Sequence, residues 1–224
     1  MTLADLRFLV WSWLDDQDGI QTGTGGYFTN SQVDTWLNNA LFEVQKQLIE
    51  ANENWYVNCA TATTVANQRE YALPADFLSS VRLEYILSGS GVTENVVQVI
   101  PITLNQQNMI GKQAGTPGGY VVMKDTFLLF PAPDAAKTIE LWYNRKIGPM
   151  TLTTDTPDVP TQYQEYIAVL AAYNGFIKDD RVPSVLETKK QQYLDLLKKA
   201  AEDRQLDFPR SVRCYDDDAS GFYW

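Results

Sequence analysis

The 224-residue chain contains no histidine. Without imidazole there is no Ser-His-Asp or Cys-His nucleophile, no HExxH zinc helix and no histidine general base, so most hydrolase and oxidoreductase templates fall away. Cysteine is nearly as scarce. Cys59 and Cys214 stand far apart with no CxxC spacing, which implies free thiols rather than a disulfide framework or a structural zinc site. Basic residues are outnumbered 18 to 28, giving a formal charge of −10. A chain so charged lacks the clustered Lys and Arg that neutralise phosphates, so no ordinary nucleic-acid grip is expected. Long apolar runs are missing too: nothing approaches the roughly 18 to 20 uncharged residues of a membrane span. The opening "MTLADLRFLVWSWLDDQD" has an early Asp5 and no basic leader, so no signal peptide is expected and the protein is read as soluble.

What is present is a globular composition. Apolar residues make up 45% of the chain, enough for one sizeable core or two small ones. Charge is unevenly placed: residues 1–53 sum to −6, residues 54–147 to zero, and residues 148–224 to −4. The hydrophobic period changes at the same boundaries. Leu3, Leu6, Val10, Trp13 and Leu14 sit at helical spacing, and the glycine-rich "DDQDGIQTGTGGY" ends that pattern. Thr29 and Gln32 have the spacing of a capping box. They precede a long stripe of Val33, Trp36, Leu37, Ala40, Leu41, Val44, Leu48 and Ala51.

From Trp55 the period falls to two, and strands are expected at residues 55–65, "EYAL", 81–87, "VVQVI", "YVVM", "FLLF" and "TIELWYNRK". "KDT" reads as a tight hairpin between "YVVM" and "FLLF", and "TLNQQNMIGKQAGTPGG" as a loop with one short helical turn. Short strands separated by turn signals predict a small antiparallel sandwich or barrel. After a rigid Pro/Thr/Asp spacer, helical spacing returns. Thr161 is placed to cap a helix over 162–177 that is apolar over a wide arc. A last amphipathic helix follows Pro183, with Val185, Leu186, Tyr193, Leu194 and Leu197 inside. The fold class implied is α+β: a helical bundle with an inserted β domain and an extended C-terminal tail. The divisions are 1–53, 54–147, 148–206 and 207–224.

Several motifs carry less chemistry than they promise. "GIQTGTGGYFT" lacks the GK[ST] and preceding strand of a phosphate loop, and is read as a loop between helices. Glu43, Glu50 and Glu53 lie on one helix with no carboxylate placed across a cleft, so a solvated acidic face outweighs a glycosidase pair. Asp216, Asp217 and Asp218 are consecutive and lack the alternating ligands of a calcium loop. No catalytic, cofactor or metal site is expected. The terminal "SGFYW" differs from these, because three large apolar side chains call for a surface to cover them, and a neighbouring protein is favoured over the chain itself.

"YFTNSQVDTWLNNALFEVQ", "EYALPADFLSSVRLEY", "ELWYNRKIGPMTLTTDTPDVPTQYQEYIAVLAAYNGF" and "YLDLLKKAAED", in that order, resemble the head-to-tail adaptor (connector or neck) proteins of tailed bacteriophages. The resemblance spans most of residues 27–203. It implies a helical bundle with a β insertion, and a non-enzymatic virion protein assembled in the host cytoplasm. It also implies a ring of twelve subunits that docks beneath the portal, joins a tail or nozzle protein below, and passes double-stranded DNA without binding it. Acidic walls suit such a channel, because they repel phosphate. Glu43, Glu50 and Glu53 are accordingly expected to face the channel. By the same resemblance Arg210, Arg213, Tyr215, Phe222, Tyr223 and Trp224 are expected to contact the portal. Two rivals remain: a carbohydrate-binding β module on a helical attachment base, motivated by surface-prone Tyr and Trp in the middle region, and a lytic glycosidase of the tail.

Overall fold

The computed structural model describes residues 1–22, 26–51, 54–89, 95–106, 113–179 and 184–204. Helix α1 (Leu3–Leu14) begins with a true capping box: Thr2 accepts from the Asp5 amide, and the Asp5 carboxylate accepts from the Thr2 amide at 2.8 Å. A short α2 (Gln17–Thr22) follows where the sequence analysis expected only loop. Buried Asp16 organises that turn, its carboxylate accepting from the amides of Gly19 (3.0 Å) and Phe28 (3.2 Å). Gly26 is required beside it, since a Cβ there would lie 2.3 Å from Asp16 Oδ1.

Helix α3 (Asn30–Ala51) starts at the expected box. Thr29 N–H donates to Gln32 Oε1 (3.2 Å) and Gln32 N–H donates to Thr29 Oγ1 (3.4 Å). Its stripe of Val33, Leu37, Ala40, Leu41, Val44 and Leu48 is buried as the spacing requires. Helix α4 (Gln164–Lys178) follows a 3-10 turn at Thr161–Tyr163. Thr161 therefore opens the turn and does not cap the helix; Tyr163 occupies the cap position without a side-chain hydrogen bond. Every residue from Tyr166 to Ala172 is buried, because α1, α3 and α5 (Ser184–Arg204) cover α4 on separate sides. At Gly175 helices α1, α3 and α4 approach closely: a Cβ would sit 2.9 Å from Leu14 Cδ2 and 3.1 Å from Trp36 Cζ3. In α5, Leu186 and Leu197 face the core, whereas Val185, expected inside, is exposed.

Between α3 and α4 the described residues form seven strands: β1 (Val57–Thr63), β2 (Glu70–Ala72), β3 (Phe77–Ser88), β4 (Asn95–Pro101), β5 (Gly119–Val122), β6 (Thr126–Phe130) and β7 (Thr138–Arg145). They make one curled sheet in the order β1-β7-β3-β4-β5-β6-β2, an open half-barrel where a small sandwich or barrel was expected. Nor is it wholly antiparallel. Strands β4 and β5 run parallel through Ile100↔Gly119 and Pro101↔Tyr120, as the long connection between them permits. The hairpin at "KDT" is present, closed by Met123 N–H to the Thr126 carbonyl (2.7 Å). In the long connection a turn at Thr103–Gln106 is described; residues 107–112 lie outside the described residues.

Two apolar clusters result. The larger gathers the helices together with Tyr56, Ile147, Met150, Val159 and Tyr163 from segments flanking the sheet. The smaller lies on the concave side of the sheet and is rich in aromatics: Tyr71, Tyr85, Tyr120, Phe127 and Tyr143 join Leu83, Val99, Leu129, Ile139 and Leu141. The Pro/Thr/Asp spacer is docked along the helices. Asp155 Oδ2 accepts from the amides of Thr151 (2.7 Å) and Leu152 (2.8 Å), and the shaped loop offers the carbonyls of Thr153 and Asp155 to Ala4 and Leu3 N–H. Those are orphan donors of the first turn of α1, so the spacer completes the helix end.

Candidate functional site

Glu43 and Glu50 lie seven residues apart on α3 and so share one exposed face. Glu43 borders a groove of about 460 Å³ between α3, α4 and α5, together with Gln47, Tyr173 and Lys190. Gln47 Nε2 donates to Glu43 Oε1 at 3.0 Å, and Lys190 Nζ sits 4.7 Å from the centre of the Tyr173 ring. Glu50 has Lys46 Nζ at 3.8 Å, an exposed pair that only partly offsets the negative face. Glu53 lies outside the described residues, as do Arg210, Arg213, Tyr215, Phe222, Tyr223 and Trp224 and the Asp216–Asp218 run.

A second acidic concentration escaped the sequence analysis. Asp15, Asp16, Asp18 and Asp179 rim a notch of about 360 Å³ with Leu14, Tyr27 and Phe28. The signal was available as "DDQD", but its convergence with Asp179 depends on the turn between α1 and α3, which sequence alone did not show. Tyr27 stands out from this rim and is 76% exposed. Among the described residues, no group of three or more His, Cys, Asp or Glu side chains is arranged to hold a metal.

The aromatics of the sheet remove the premise of the carbohydrate reading. Tyr71, Tyr85, Tyr120 and Tyr143 are buried. Trp142 is partly buried, with the Arg82 guanidinium 4.8 Å from its ring centre and its indole N–H donating to Glu84 Oε2 at 3.1 Å. A sugar-stacking platform needs open aromatic faces, and these are taken. Where the curled sheet fails to close, β1 and β2 border an apolar slot of about 310 Å³ lined by Ala60, Ala62, Ala72, Leu73, Phe127 and Leu141.

The ionisable groups that shift do so toward neutral, unreactive forms. Burial, then the Glu140 and Glu84 charges, raises the Cys59 thiol. Burial, then hydrogen bonding and repulsion from Asp76, raises the Tyr143 hydroxyl, and burial followed by Glu165 pushes Tyr193 up to about 12. The exceptions are carboxylates that cap backbone. Asp5 and Asp155 are lowered, first by the amides of Thr2 and Leu152 respectively. These arrangements hold loops and helix ends; they do not prepare a nucleophile.

The family model of the SU10 adaptor protein matches residues 1–213. The chain belongs to the SU10 adaptor protein family. No curated protein matches it. The resemblance drawn from "YFTNSQVDTWLNNALFEVQ" onward thus led to the right family, a bacteriophage head-to-tail adaptor. As an SU10 adaptor protein it is a structural component of the virion that associates with other head and tail proteins. No helix among the described residues is long and apolar enough to cross a membrane.

Proposed function

We propose that this adaptor is one of twelve copies in a ring docked beneath the portal, carrying a tail or nozzle protein below and leaving a central passage for double-stranded DNA. The ring subunit is a helical bundle formed by residues 1–53 and 148–206, with residues 54–147 as its inserted β domain. The family match over residues 1–213 carries the reading. The net charge of −10 supports it, because a conduit must repel the phosphates that pass along it. The face of α3 that bears Glu43 and Glu50 is part of the wall that meets DNA, and Glu53 is assigned to the same wall. The tail residues 207–224 make the portal contact through Arg210, Arg213, Tyr215, Phe222, Tyr223 and Trp224.

Native mass spectrometry of the chain mixed with purified portal tests the docking. A portal bearing added copies of the chain is expected, and a portal that stays bare at micromolar adaptor contradicts the reading. Particles assembled with Glu43→Lys, Glu50→Lys and Glu53→Lys test the wall. Slower genome ejection is expected; ejection at the normal rate removes α3 from the passage.

A further inference from the structure

The helices and the sheet meet through a narrow junction. Among the described residues no helix packs extensively along a strand, and the two apolar clusters share no residue. What joins them is a short apolar plug, Tyr56, Ile147 and Met150 buried against the helices, and a set of polar contacts directed at backbone. Gln45, buried on α3, donates from Nε2 to the Arg145 carbonyl at 2.7 Å and accepts from the Ile147 amide at 3.5 Å. Two helical turns earlier on the same face, Asn38 donates from Nδ2 to the Met150 carbonyl (3.0 Å) and accepts from the Met150 amide (2.8 Å). The two side-chain amides therefore hold the chain leaving β7 much as a neighbouring strand would. On the other flank the Tyr56 hydroxyl donates to the Asp158 carbonyl at 2.9 Å, and the Arg145 guanidinium pairs with the Asp158 carboxylate.

We infer that this junction is a hinge closed by a latch, in which Gln45 and Asn38 set the angle between the sheet and the helices. Apolar contact spread over a wide interface would fix an angle without them; here, among the described residues, it comes from Tyr56, Ile147 and Met150 in the segments flanking β1 and β7, not from the strands themselves. A side-chain amide that satisfies both a backbone donor and a backbone acceptor is directional, so it holds one orientation rather than one separation. For a ring subunit that bridges two partners, such a latch makes the sheet's direction a property of the free subunit, before any partner binds. The inference rests on the fold alone and stands whether or not the channel assignment holds.

The test uses the full chain carrying Cys59→Ser and Cys214→Ser, with spin labels at Ser12→Cys on α1 and Gln98→Cys on β4, both exposed. The latched protein is expected to give a single narrow distance. Adding Gln45→Leu and Asn38→Leu is expected to broaden it about twofold, with helix and strand signals in circular dichroism unchanged, as released two-state elements sample more orientations. In the same variant the amides of Ile147 and Met150 are expected to exchange roughly tenfold faster. If the double variant does not fold, Asn38→Asp alone keeps acceptance from the Met150 amide, loses donation to its carbonyl, and is expected to broaden the distance by a smaller margin. A broad distribution in the latched protein overturns the inference. So does a distribution in the variants that superimposes on the latched one.

Discussion

The helical half closes its core and the sheet half does not. Around α4, seven consecutive residues are shut from water by three other helices, and even a glycine hydrogen at Gly175 is needed to let Leu14 and Trp36 approach. The sheet buries its aromatics on one concave side only, and its first and last strands in spatial order border an open slot. The difference teaches where each half can tolerate change. A closed core has no room to add volume and little freedom to fill a loss, whereas an open curl has both.

Removing volume from the closed half breaks the comparison most severely. Leu41→Ala, at a site wholly buried in α3, is expected to cost about 2–5 kcal/mol in urea denaturation, because packed helices collapse only partly onto the cavity. Adding volume sharpens the contrast further. Ala168→Val on α4 is expected to cost roughly 1–3 kcal/mol from overpacking, since Ala168 is wholly buried. Ala62→Val on β1 places the same extra carbons over the open slot, on a strand that favours branched side chains, and is expected to change stability by less than about 0.5 kcal/mol. Equal losses at the two alanines would erase the distinction between the halves.

Smaller effects report on the polar fastenings. Tyr143→Phe removes the donation of its hydroxyl to Asp76 Oδ1 (2.8 Å), at an expected cost of about 1 kcal/mol. The smallest is a pH effect on the end of α1. Asp5 and Asp155 are held below their ordinary value of 3.8 in the folded chain, so their contribution is present above that value and is lost as pH falls through the folded pKa. Hydrogen exchange at Leu3 and Ala4 is expected to gain over that of α4 below about pH 4. An unchanged ratio would detach these carboxylates from the helix end.

The helices were legible because their signals are local. Thr29 and Gln32 are three residues apart, and Val33 to Leu48 repeat with the helical period, so pattern and contact coincide. The strands were legible as segments for the same reason, but their order was not. That β1 pairs with β7 across about eighty residues, and that β4 meets β5 in parallel, depends on which edges the curl brings together. The burial of Tyr71, Tyr120 and Tyr143 follows from that curl as well, and alternation along a strand does not say which of its two faces is covered. At the helical end, the turn that draws Asp16 inward made α2 and the acidic notch invisible. Of the candidate site, Glu43 and Glu50 could be placed on one exposed face from spacing alone. Asn38 and Gln45 share another face of α3, yet nothing in the sequence said that their partners would be backbone groups 100 to 112 residues away.

Subunit-resolution imaging of the head-to-tail junction in particles that carry this chain tests the central claim most directly. The account predicts a closed ring of copies directly under the portal, with the Glu43 and Glu50 face of α3 toward the DNA and every sheet held at one angle to its helices. Copies found away from the channel axis, or α3 turned outward with basic side chains lining the passage, would contradict it.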